Sequence, residues 1–170
     1  MDFPTLVRTR YSVRAYRPDH IGGELLQQIL EAACLAPTAA NRQPFRIIVI
    51  HTAGREDELR RIYAADWFSR APMVLAVIGV PAEAWVRRQD SKSYLDVDAA
   101  IVMDHITLSA ADLGLGTCWI GAFDPAAAHD VLGLPADVVP IAFTPLGYGD
   151  DAPRPKTRKP LTALVKYERW

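Results

Sequence analysis

The chain has only two cysteines among its 170 residues, Cys34 and Cys118, too few and too far apart for a fold stapled by disulfides. Both lie in apolar segments and are expected as buried, reduced thiols. The four histidines, His20, His51, His105 and His129, have no paired spacing and no cysteine neighbours, so no metal-ligand pattern is legible. No apolar run reaches the roughly 18 residues that a membrane span needs. The opening MDFPTLVRTRYSV holds no signal-peptide h-region, and the expectation is a cytoplasmic chain without membrane contact. An excess of charge of one sign is missing too, with 19 Lys+Arg against 20 Asp+Glu and a net charge of −1. That balance argues against nucleic acid as a partner. Finally, no glycine-rich turn follows a strand. The nearest pattern, Gly114-Leu115-Gly116, follows a helical segment and precedes a strand, the reverse of the order in a dinucleotide-binding turn.

What is present is enough apolar material, 50% of the residues, for one domain over 1–170 with a substantial core. From Glu24 to Ala36, Leu25, Leu26, Ile29, Leu30, Ala33 and Cys34 recur at helical spacing and predict one apolar helix face. Ile47–Ile50 and Ala71–Val80 read as buried strands, with a helix near Glu56–Ala65 between them. Tyr94–Leu113 predicts a long, largely buried helix ending at Gly114. TCWIG, residues 117–121, reads as a short strand. Asp124, Pro125 and Gly133 mark the cap, first position and end of a further helix. A last strand covers Val138–Gly147, and the apolar tail LTALVKYERW is of ambiguous type.

Two segments are rich in cations and nearly free of acids. Arg10, Ser12 and Arg14 alternate near one end of the chain, and Lys156 and Arg158 repeat the alternation near the other. In extended backbone, alternate residues share a side, so each segment can turn two cations toward one anion. A pair of solvated surface runs is the plainer alternative. The bridge APTAANRQPF, residues 36–45, is similarly open. Asn41 and Gln43 can meet the polar edge of a flat heterocycle, or the segment is a loop that ends a helix. Asp96, Asp98 and Asp104 are expected in exposed or capping roles.

RYSVRAY, LAPTAANRQPF, DLGLGTCWIGAFDP, PLGY and PKTRKPL, in this order and spanning nearly the whole chain, resemble the nitroreductase family of FMN-dependent oxidoreductases. The resemblance implies an α+β fold with a mixed, mainly antiparallel sheet flanked by helices, assembled as an intertwined homodimer with FMN at the subunit interface. It implies that Arg10 faces the FMN phosphate, Ser12 and Arg14 the pyrimidine edge of the ring, and Lys156 and Arg158 a second phosphate clamp. Pro37, Thr38, Ala39 and Asn41 match the loop that reaches FMN from the other subunit. Trp119, Ile120 and Gly121 match the segment lining the ring's inner face. The implied activity is a ping-pong reduction of nitro compounds, quinones or similar acceptors by NADH or NADPH, with no catalytic side chain, because the flavin carries the chemistry. Reductive dehalogenation or flavin fragmentation on the same fold, and a flavin-free binding protein, are the alternatives. Gly121 stands where other members often have an acid, and Tyr11 and Phe45 replace commoner choices, which leaves the substrate open. Trp67, Phe68 and the segment Ala84–Tyr94 are candidates for the roof of the substrate site. The tail is expected to wrap a partner subunit.

Overall fold

The computed structural model describes all residues, Met1–Trp170. A four-stranded sheet forms its centre, in the order β1 (Phe45–His51), β2 (Met73–Gly79), β6 (Val139–Gly147), β5 (Gly116–Thr117). Every ladder in it is antiparallel. The parallel component is one bridge, Ser12 to Thr117, so the expectation of a mixed, mainly antiparallel sheet holds. β2 is buried along its whole length, which explains its unbroken apolar run, MVLAVIG. A bulge between Val77 and Ile78 shifts its register with β6.

Each face of the sheet carries its own core. On one, α2 (Gly23–Cys34) and α5 (Leu95–Asp112) pack with Ile29, Ala33, Val102, Met103 and Ile106 against Leu75 and Leu146. On the other, α3 (Glu56–Ile62), α4 (Asp66–Arg70) and α6 (Pro125–Leu132) close over Ile50, Ile78 and Phe143. Phe143 is fully buried there, edge-on to Phe68 at 6.3 Å and Phe123 at 4.8 Å, a geometry aromatic quadrupoles favour. α6 starts as its sequence dictates. Asp124 accepts from the Ala126 and Ala127 amides, Pro125 occupies the first turn, and Gly133 closes the helix with φ +60°.

Several expectations need correction. Cys34 is exposed, whereas Cys118 is buried; α2 turns Ile29 and Ala33 inward, and Cys34 lies one helical step of about 100° beyond Ala33. Phe68 is a fully buried core residue and roofs nothing. Trp85 packs edge-on to Tyr94 at 4.9 Å, next to the small hairpin of β3 (Val86–Arg87) and β4 (Lys92–Ser93). Asp98 is neither exposed nor a cap: it is 1% exposed inside α5. Two further helices complete the chain, α1 (Phe3–Thr9), capped by the Asp2 carboxylate, and the short α7 (Leu161–Leu164). No helix is long and apolar enough to cross a membrane.

Candidate functional site

The sheet brings the two cationic segments together. Residues 12–17 run beside both β5 and the strand end at 147–151. The Val13 amide donates to Thr117 O at 2.9 Å, the Arg17 amide to Tyr148 O at 2.9 Å, and the Asp150 amide to Ala15 O at 2.9 Å. The close approach needs glycine at 116, where a Cβ would stand 2.6 Å from Val13 Cγ2. Asp151 then ties the corner: the Tyr11 hydroxyl donates to its carbonyl at 2.8 Å, and its Oδ2 accepts from the Arg14 amide at 2.8 Å. Burial, with the Asp151 charge second, pushes the Tyr11 phenol up from its ordinary pKa. Lys156 makes the last tie, donating to Val7 O at 3.1 Å and to Arg8 O, where a cation complements the C-terminal carbonyls of α1.

The result is a polar cleft of about 260 Å³ lined by Arg10, Ser12, Arg14, Arg154, Lys156 and Arg158 together with Tyr11 and Asp151. None of its five basic side chains forms an ion pair, although nine such pairs occur elsewhere in the molecule. Desolvation lowers the Lys156 pKa, and the charges of Arg10 and Arg158 lower it further. Cations left unpaired and pressed together are the electrostatic footprint of an anion site. The one acid in the cleft, Asp151, turns Oδ2 to the Arg14 amide and pairs with none of the five cations. The two cationic runs therefore meet rather than lie apart: Arg10, Ser12, Arg14, Lys156 and Arg158 line one open cleft, in which Arg14, Lys156 and Arg158 remain exposed.

Beside it runs the 117–121 segment. Cys118 lies close to Ser12 and Arg14; burial raises its thiol pKa and the Arg14 charge offsets part of that rise, so the thiol stays protonated and inert at neutral pH. Ile120 is committed to structure, since its side chain is buried and its amide and carbonyl both pair with Phe143. It props its neighbours Trp119, 44% exposed, and the exposed Gly121. Arg14 also lies over the Trp67 ring, 5.9 Å from its centroid.

The bridge at 37–43 does not line this cleft. It is a strained loop with Ala40, Asn41 and Gln43 at φ of 51°, 52° and 51°. Such left-handed non-glycine residues cost of order 1–3 kcal/mol each and collect at functional sites. Local bonds fix the loop's shape: the Asn41 amide donates to Thr38 O, and the Gln43 amide to Thr38 Oγ1 at 3.0 Å. Asn41 projects into solvent while Pro37, Thr38 and Ala39 form the stem. Sequence reasoning missed Asp151 as a site residue. Its only signal is that Asp150 and Asp151 are the acids that immediately precede the basic run.

The model of the nitroreductase family matches residues 7–67 and 53–148. The chain belongs to the nitroreductase family. A solved nitroreductase family protein from Clostridium difficile 630 superposes with a TM-score of 0.90 at 35% identity, covering 100% of both chains. The NADH dehydrogenase of Thermus thermophilus is 29% identical over 195 residues, 97% of this chain and 95% of that one. The FMN reductase [NAD(P)H] of Bacillus subtilis is 27% identical over 175 residues, 94% of this chain and 70% of that one.

Proposed function

We propose that this nitroreductase-family chain is an NAD(P)H-dependent oxidoreductase that holds FMN at the interface of an intertwined homodimer and reduces nitro compounds, quinones or similar flat acceptors. The observation that carries this reading is the cleft of five unpaired cations built from both ends of the chain. An anionic phosphate suits that donor set, since guanidinium forks and an ammonium match phosphate oxygens. FMN, when bound, supplies the electron relay between a nicotinamide and an acceptor in alternating half-reactions. The protein's part is to bind and to orient. Arg10, Lys156 and Arg158 hold the phosphate, with Lys156 sharing its protons between that anion and the end of α1. Ser12 and Arg14 serve the pyrimidine edge, where Arg14 supplies positive charge for the electron density that reduction adds. Trp119 and Gly121 line the ring, propped by Ile120.

The loop Pro37–Asn41, absent from its own chain's cleft, completes the site on a second copy. Three further features support that dimer. β1 is a sheet edge with one open side, a template for a further strand. The tail is unpacked, with Leu161 71% exposed and Trp170 fully exposed. Leu35, just past the end of α2, is 81% exposed. Each of these apolar side chains gains burial if a second copy covers it. NADH and NADPH as donors accord with the cytoplasmic location expected from the sequence.

Anaerobic addition of NADH, then of NADPH, to the FMN-loaded protein tests the activity. The visible flavin absorption is expected to bleach with at least one donor and to return on adding a quinone or nitroaromatic. A spectrum unmoved by either donor contradicts the proposed reductive half-reaction.

A further inference from the structure

The structure assigns a task to Asp98: we propose that it is a positioning residue, whose carboxylate holds the 38–43 loop in the conformation that presents Asn41 to FMN on the partner subunit. The proposal rests on the FMN reading given above.

Asp98 sits in the first turn of α5 and is 1% exposed. Its Oδ1 accepts from the Ala39 amide at 2.8 Å across 59 residues of sequence, and its Oδ2 has no hydrogen-bond partner. A buried carboxylate satisfied on one side only is a costly way to fill core space, and a well-packed apolar side chain serves packing better. Its presence therefore needs a reason outside packing, and the Ala39 bond supplies one. Every other hydrogen bond of residues 38–43 stays inside the loop or reaches its own flank: Asn41 N to Thr38 O, Arg42 N to Ala39 O, Gln43 N to Thr38 Oγ1, Gln43 Nε2 to Asn41 O and Oδ1, Phe45 N to Gln43 O. Those bonds set the loop's internal shape. Only the bond to Asp98 fastens it to another element, and it does so at the residue immediately before the left-handed pair Ala40 and Asn41. A strained loop persists only where its surroundings over-determine it. Here α5, clamped between α2 and the sheet, lends its rigidity to Asn41 through one carboxylate oxygen.

Asp98→Leu and Asp98→Asn separate positioning from packing. In the flavin-free protein, Asp98→Leu is expected to melt close to the wild-type temperature, because removing the unpaired buried oxygen offsets the acceptor that the Ala39 amide loses, while the amides of residues 39–43 exchange faster. With FMN added, its affinity is expected to fall about ten-fold, the scale of one lost well-placed contact. Asp98→Asn keeps an acceptor oxygen for the Ala39 amide and is expected to stay within about three-fold of wild type in affinity, with loop exchange unchanged. The proposal is overturned if Asp98→Leu exchanges and binds FMN as wild type does, or if it fails to fold, since Asp98 would then be a structural residue only. An asparagine variant as impaired as the leucine variant also overturns it. A wild-type chain that takes up no FMN defeats the flavin reading instead, and loop exchange in the flavin-free variants still decides what Asp98 does.

Discussion

Replacing Arg10 and Arg158 together by alanine is expected to weaken FMN binding by about a hundred-fold or more and to leave the fold intact. A hydrogen bond to a charged group contributes about 1.5–3 kcal/mol, so each guanidinium lost from the phosphate corresponds to a factor of roughly ten or more. Neither arginine is in an ion pair, and Arg158 donates only to the carbonyl of its neighbour Thr157. Substitutions at such positions usually change stability by no more than about 0.5 kcal/mol. The repulsion that Arg10 and Arg158 exert on Lys156, which adds to desolvation in lowering the Lys156 pKa, is relieved in the variant. Fluorescence titration with FMN reads the affinity, and thermal melting of the flavin-free protein reads the fold. Unchanged affinity would remove the cleft from the account. The wild-type affinity is also expected to fall as salt is added, because exposed charges are screened over a Debye length of about 8 Å at physiological ionic strength.

Gly116→Val carries the second large effect, and it reaches the site through the fold. A Cβ at 116 meets Val13 Cγ2 at 2.6 Å and Val13 Cβ at 2.9 Å, so the 12–14 segment cannot keep its seat on β5. Overpacking of this kind costs typically about 1–3 kcal/mol. The bond from Val13 N to Thr117 O is strained at the same time. Because Ser12 and Arg14 flank Val13, FMN affinity is expected to fall together with melting temperature, unlike the arginine pair, which lowers affinity alone. A variant that melts lower yet binds FMN normally would show that the 12–14 segment does not form the site.

What the sequence made legible follows from how each element is held. α2 and α5 announce themselves because packing against the sheet imposes helical periodicity or a long run of helix formers. β2, buried on both faces, shows as an apolar run, and α6 shows through its Asp, Pro and Gly punctuation. α1 was not legible: its seven residues include Pro4 and lack a clear apolar stripe, and its stability comes from the Asp2 cap and contact with α5. The two-residue strands β3 and β4 are too short for an alternating pattern to appear. At the site, side-chain chemistry made Arg10, Arg14, Lys156 and Arg158 conspicuous. Their convergence depends on the pairing of β5 with β6, Gly116 with Gly147 and Thr117 with Leu146, which no local pattern encodes. Asp98 departs from its expected exposed or capping role for a related reason. Helical spacing alone sets it apart from Asp104, whereas its bond from the Ala39 amide spans 59 residues of sequence.

Both ends of this chain build the proposed FMN site inside a homodimer. Titration of the flavin-free protein with FMN, with mass followed by light scattering, tests it most directly. A dimer that saturates at one FMN per chain is the expected result. A monomer, or a dimer that takes up no FMN, would contradict it.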